Sequence, residues 1–243
     1  KVASLTNGEN LSGKIADIFA EYGTWIRISI DAWDDNSYGE ARGIQDGKFT
    51  KVIKNMREFS RRNANCVLGI SFIVSEKNYE HLYEACCIFK DAGVDHVKFS
   101  GVVTSNKISE VNKYHQKILA TVQKEIKKSM ELNDENFRVI DLYHELNERF
   151  EKSYRNCPNL LYVSVIGADM NVYSCHDKAY TENGLLGSLK DQSFKQFWFS
   201  DQNKNRLYGL DPSLSCRHHC TAHGKNVAMH EIISMDKNHG VFI

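Results

Sequence analysis

Over roughly its first hundred residues the chain alternates short apolar runs of β type with segments of helical period, and nothing else in it constrains the fold as strongly. Parallel strands need a crossover between them, normally a helix, so this alternation predicts βα units building a parallel sheet. Val2-Ala3-Ser4-Leu5 reads as a strand ending in the turn Thr6-Asn7-Gly8. Leu11, Ile15, Ile18, Phe19 and Tyr22 then share one helix face, with Gly23 placed to close that helix in a left-handed conformation. Trp25 to Ile30 is the second strand. After a loop rich in Asp, Asn and Gly, the residues Phe49, Val52, Ile53, Met56 and Phe59 form the next amphipathic face. Val67 to Val74 is the third strand, Leu82, Cys86 and Phe89 mark the third helix, and Val94 to Phe99 is the fourth strand. The expected fold class is thus α/β.

From Lys107 to Phe150 the sequence reads as two charged helices, the first carrying Val111, Ile118, Leu119, Val122 and Ile126 on one face. From Asn156 the texture changes to short strands and loops. Leu160 to Ile166 and Asn171 to Ser174 predict a hairpin turning at Asp169-Met170-Asn171, and a short helix is expected over Phe194 to Phe199. These changes divide the chain into 1–104, a connecting pair of helices over 105–153, and a Cys-rich α+β extension over 154–243.

Seven cysteines, an odd number in a chain of 243 residues, argue against a secreted disulfide scaffold and for a reducing compartment, so the chain is expected in the cytoplasm. Cys66, Cys86 and Cys87 lie among apolar neighbours and read as small buried hydrophobes. Cys157, Cys175, Cys216 and Cys220 do not. Seventeen, forty and three residues separate them, and Ser174-Cys175-His176-Asp177 and Cys216-Arg217-His218-His219-Cys220 are polar settings. A hairpin between Cys157 and Cys175 brings a thiol to each end of one unit, and the later pair can close the site. Four thiolates suit zinc or an iron–sulfur cluster, and the spacing leaves both open. A mixed site using His218, His219 or His223, as in Cys216-x3-Cys220-x2-His223, also remains open.

Leu5-Thr6-Asn7-Gly8, Arg27-Ile28-Ser29-Ile30-Asp31-Ala32, Tyr38 to Arg42-Gly43, Phe49 to Met56 and Val74-Ser75-Glu76-Lys77-Asn78 follow in an order and spacing that resembles the second half of the radical S-adenosylmethionine enzyme core. Ser174-Cys175, Gly187-Ser188-Leu189 with Phe194 to Trp198, and Cys216-x3-Cys220 resemble the twitch or SPASM extension of that superfamily. The resemblance implies the last four strands of a partial (β/α)6 barrel. The superfamily's Cys-x3-Cys-x2-Cys loop is absent, and the resemblance implies that this loop and two strands lie upstream of Lys1. It further implies an auxiliary 4Fe-4S cluster on Cys157, Cys175, Cys216 and Cys220, and a catalytic 4Fe-4S cluster on the upstream loop. S-adenosylmethionine would then meet Ser29, Asp31 and Arg42, with Asn7 and Asn78 as further contacts. No catalytic residue can be named.

The implied activity is reductive cleavage of S-adenosylmethionine to a 5′-deoxyadenosyl radical that takes hydrogen from a peptide, a protein or a small molecule such as a sugar. Flavodoxin or ferredoxin is the implied electron donor. Two other readings stand beside it: a non-catalytic α/β binding module with a structural zinc site, and a relative that binds S-adenosylmethionine without cleaving it. Thirty-one Lys plus Arg balance 31 Asp plus Glu, so the charge gives no reason to expect a nucleic-acid partner. No apolar run approaches the ~20 residues of a membrane span.

Overall fold

The fold is taken from a computed structural model that describes residues 2–44, 48–62 and 64–235. Five parallel strands lie side by side in chain order: β1 (Val2–Thr6), β2 (Gly23–Ser29), β3 (Val67–Val74), β4 (His96–Gly101) and β5 (Arg138–Asp141). Between them run α1 (Gly13–Tyr22), α2 (Asp35–Arg42), α3 (Phe49–Ser60), α4 (Leu82–Asp91), α5 (Ile108–Gln116) and α6 (Leu119–Met130). This is the α/β class expected, with one strand more than the four read from the sequence. The loop ahead of α3 contains α2, and residues 45–47 of it lie outside the described residues.

The chain divides into two units, Lys1–Thr104 with Glu110–Leu146, and Ser105–Ser109 with Asn147–Ile243. In the first, Ile26, Ile28, Leu68, Ile70, Phe72, Val97 and Phe99 from the strands meet Val52, Met56, Phe59, Leu82 and Phe89 from the helices in one core. The expected face of α3 is buried in full, and it carries one residue the periodicity did not announce. Asn55, also buried, donates from Nδ2 to the carbonyls of Gly8 and Glu9 at 2.9 and 3.0 Å, tying down the turn after β1. Cys66 and Cys86 are buried as expected, and burial pushes the Cys86 thiol up to about 12; Cys87 is only half-buried.

Other expectations need correction. The α1 stripe is a core face only in part: Leu11 is buried and Phe19 packs against the core, but Ile15 is 50% exposed, Ile18 45% and Tyr22 62%, and within the helix the fully buried residue is Ala16. Among the described residues strand β1 pairs with β2 alone, and its Val2 and Leu5 are exposed as well, so apolar residues here lie at an edge of the described sheet rather than at its centre. Gly23 is extended (φ −70°), not left-handed. A Cβ there would come within 2.3 Å of the Phe19 carbonyl oxygen, so a close approach, not handedness, demands glycine. The single helix face running from Val111 to Ile126 is broken between α5 and α6 by a turn in which Ile118 N donates to His115 O, which leaves Leu119 41% exposed. The second expected helix is instead β5 followed by 3-10 turns at His144–Leu146 and Glu148–Phe150.

The second unit holds a three-stranded antiparallel sheet of β6 (Val165–Ile166), β7 (Asn171–Tyr173) and β8 (Leu185–Ser188). Four helices follow: α7 (Phe194–Trp198), α8 (Asp201–Gly209), α9 (Pro212–Ser215) and α10 (His223–Ser234). The hairpin is shorter than expected because Pro158–Leu161 forms a 3-10 turn. Leu160, Val172, Leu186, Phe197 and Leu207 make a small core of their own. Among the described residues no helix is long and apolar enough to cross a membrane.

Candidate metal centre

Each of the four C-terminal cysteines in the second unit sits where an element begins or ends. Cys157 precedes the Pro158 turn, Cys175 follows β7, Cys216 caps α9, and Cys220 lies just ahead of α10. Element ends bring backbone N–H groups near the sulfurs, those of Leu160 and Asn159 by Cys157, Lys178 and Asp177 by Cys175, and Ala222 by Cys220, where they favour the thiolate. All four thiols line one small cavity of about 30 Å³, together with Lys152, Tyr154, Ser174 and Asn226.

The polar groups around this cavity are buried. Lys152 donates from Nζ to the carbonyls of Arg149 (2.8 Å), Phe150 (3.1 Å) and His218, filling its three N–H bonds and fixing a cation beside the thiols. Asn226 accepts from Asn159 N at 3.0 Å through Oδ1, so its amide group is turned to donate to Cys157 Sγ at 3.1 Å. The Ser174 hydroxyl is buried with no hydrogen-bond partner among the described residues. An unpaired buried hydroxyl is costly and needs an explanation. Burial raises the thiols of Cys157 and Cys175 and pushes Cys220 up to about 11, so each stays protonated until a cation favours its thiolate. Burial, then the adjacent Lys152 charge, pushes His218 down to about 4.

The donor set fits an iron–sulfur cluster: four thiols, a fixed cation to offset the negative charge of thiolates and sulfides, and a spare hydroxyl donor. A single tetrahedral zinc with bonds near 2.3 Å would draw its sulfurs to within about 3.8 Å of one another. The one group of three or more metal-type donors that lies within 4.8 Å among the described residues is Cys175, Asp177 and His218, not a set of cysteines. Neither His219 nor His223 belongs to that group. The first packs edge-on against Phe150 at 5.6 Å, and the second lies along Tyr154 at 5.7 Å.

In the first unit, the strand-end candidates all lie beyond the carboxyl ends of the parallel strands: Asn7 after β1, Ser29 at the last position of β2 with Asp31 beyond it, and Asn78 after β3. Arg42, the last residue of α2, donates to the Ser29 carbonyl and faces Asp31. Asp31 accepts from Ile73 N at 2.7 Å, and Asn78 donates to the carbonyls of Asp31 and Ile73. Burial raises the Asp31 carboxyl, and the Ile73 amide and Arg42 oppose that rise. Asn7 stands apart, its side chain engaged with Glu9. Ser29, Asp31, Arg42 and Asn78 therefore form one connected group, and Asn7 belongs to a local turn.

Lys152, Ser174 and Asn226 were not singled out as site residues in the sequence. A polar side chain inside an element of the Cys-rich extension was the one available signal, and it did not say which cavity the residue would enter.

No protein-family model matches the chain, and no curated protein does. Its fold is similar to solved structures that were determined with S-adenosylmethionine bound. SuiB of Streptococcus suis in that state aligns with 85% of this chain and 49% of its own, at 13% identity and a TM-score of 0.52. The anSMEcpe structure with bound AdoMet aligns with 96% of this chain and 74% of its own, at 15% identity and a TM-score of 0.51. SuiB bound to its precursor peptide SuiA gives 85%, 48%, 12% and 0.52 in the same order. At these identities the likeness is one of fold, and the chain spans about half the length of SuiB.

Proposed function

We propose that the chain is part of a radical S-adenosylmethionine enzyme acting on a peptide or protein, with a twitch- or SPASM-type extension over 154–243 that holds an auxiliary 4Fe-4S cluster through Cys157, Cys175, Cys216 and Cys220. The observation that carries the reading is the single cavity lined by those four thiols, with a buried cation and an unpartnered hydroxyl. The fold likeness to proteins solved with S-adenosylmethionine, one of them also with a precursor peptide, supports the same class. When bound, the auxiliary cluster supplies one-electron chemistry or a site for substrate, and flavodoxin or ferredoxin is the expected electron source.

The chain's own residues have distinct tasks in this reading. The four thiols release protons and bind iron. Lys152 holds its positive charge at the cavity wall and joins the segment 149–152 to the Cys216–Cys220 loop through His218 O. In the first unit Arg42 offers a guanidinium to the carboxylate of S-adenosylmethionine, Ser29 and Asp31 present hydroxyl and carboxylate groups to its ribose or amino-acid part, and Asn78, its amide spent on the Asp31 and Ile73 carbonyls and Ser75 N, serves the pocket by holding Asp31 in place. Asn7 is the outlying member of that set. In this reading the superfamily's Cys-x3-Cys-x2-Cys loop would hold the catalytic 4Fe-4S cluster, and the chemistry supplied there would be reductive cleavage of S-adenosylmethionine. A cytoplasmic setting follows from the free thiols.

A second reading, a binding module with structural zinc, is favoured by one observation, the compact Cys175, Asp177 and His218 group. Iron, sulfide and zinc analysis of anaerobically prepared protein separates the two. Iron and acid-labile sulfide, lost on substitution of any of the four cysteines, are expected; one zinc per chain without sulfide would reject the cluster.

A further inference from the structure

We infer that Ser174 and Asn226 are hydrogen-bond donors that set the reduction potential of the cluster held by Cys157, Cys175, Cys216 and Cys220, an inference that rests on the reading just given. Two independent observations lead to it. Asn226 is completely buried on α10, and each of its amide atoms is accounted for. Oδ1 takes the Asn159 N–H at 3.0 Å, while Nδ2 reaches Cys157 Sγ at 3.1 Å and Tyr154 Oη at 3.4 Å. Turning the amide over would set a carbonyl against a sulfur ligand and an NH2 against an N–H, so the neighbouring backbone fixes the donor toward the sulfur.

Ser174 supplies the second observation. Its backbone N–H is bound to Gly184 O at 2.8 Å, so the residue cannot swing away, and its 2% exposed side chain lines the cavity with a hydroxyl that has no partner among the described residues. A core-packing role predicts Ala or Val here, since burying a hydroxyl unpaired only costs stability. An acceptor inside the cavity removes that cost. Sulfide and thiolate sulfur are acceptors, and they become better ones as negative charge accumulates on them.

The direction of the effect follows from charge. Reduction adds one electron to the cluster, supplied in a titration by dithionite, with no bond made or broken in the protein. The added negative charge strengthens every hydrogen bond donated to sulfur, so each donor stabilises the reduced form more than the oxidised form and raises the potential. Lys152, which lines the same cavity, acts in the same sense, but its three bonds also hold the loop, so it makes a poor probe.

The experiment is a dye-mediated redox titration of the anaerobically reconstituted chain, followed by visible absorbance, for wild type, Ser174→Ala, Ser174→Thr and Asn226→Leu. Ser174→Ala and Asn226→Leu should each shift the midpoint to a more negative value at unchanged iron and sulfide content, and Ser174→Thr, which keeps a hydroxyl, should stay with wild type. In the metal-free chain Ser174→Ala should raise the melting temperature, because the unpaired hydroxyl is gone. Should Asn226→Leu fail to take up iron, the Ser174 pair decides the matter. A wild-type cluster whose midpoint is the same in Ser174→Ala overturns this inference and leaves the cluster assignment standing. A wild-type chain that takes up zinc alone overturns both.

Discussion

Single residues in the second unit have conformations and ionisation states that can be tested one at a time. Met170 sits at φ +63° in the turn between β6 and β7, a left-handed position that costs an L-residue about 1–2 kcal/mol. Its side chain is 47% exposed, so little packing is lost on removal. Met170→Gly should therefore stabilise the unit by up to ~1 kcal/mol after the extra chain entropy of glycine is subtracted, read as a higher melting temperature. The cysteines predict a pH effect of definite sign. With Cys220 at about 11 and Cys157 and Cys175 raised by burial, binding must expel protons, so apparent metal affinity should climb as pH rises from about 6.5 to 8. A competition titration against a chelator measures it, and a flat profile would mean that thiolates are not the ligands. The four ligand candidates were legible because polar neighbours surround each Cys. Ser174 and Asn226 were not, since an unpaired hydroxyl or an amide aimed at sulfur exists only after distant segments meet.

Elements were legible in proportion to their length and to how completely they are buried. The β3 run Val67–Val74 and the α3 face were recoverable because a central strand and an amphipathic helix bury most of the apolar positions that pattern picks out, Val67 at the start of β3 being the exposed exception. Strand β5 is four residues long, with Val139 buried and Ile140 39% exposed at the sheet edge, which is too little alternation to stand out from a charged helix. The α1 stripe misled for the opposite reason, being strongly periodic although Ile15, Ile18 and Tyr22 are exposed and only Leu11 and Phe19 reach the core. Asn55 shows where an element depends on a residue that no periodicity contains. Asn55→Ala leaves two inward-facing carbonyls, those of Gly8 and Glu9, without that donor, and should cost about 1–3 kcal/mol by denaturant unfolding. Conversely, a Cβ at Gly69 would meet the outer ring of His96 at 2.2 Å, a contact that turning that one side chain relieves without moving the β4 backbone.

At the scale of the whole chain the two units draw their stability from different sources. The first buries a continuous core in which strands β2 to β5 and the helices share partners, and its titratable histidines give it an acid limit. His115, which bonds Tyr143 and the Val102 carbonyl at 2.8 and 2.9 Å, and His96 are both depressed by burial below the ordinary imidazole value. A depressed folded-state value means that the unfolded chain binds the proton more readily. Stability is therefore complete above about pH 6.5 and falls as pH drops through that value, levelling off below the folded-state values. Among the described residues the core of the second unit is a cluster of five buried side chains, so on the reading proposed above a bound metal would supply much of its order. Hydrogen exchange with and without metal tests this. Chelation at pH 7.5 should speed exchange across β6 to β8 and at the start of α10, while amides of β2, β3 and β4 keep their protection. Alanine at Cys157, Cys175, Cys216 or Cys220 should reproduce the metal-free pattern, and alanine at Cys66 or Cys86 should lower protection in the sheet without changing metal content. Equal loosening of both units on chelation would place the metal's contribution in the global fold rather than in the Cys-rich extension.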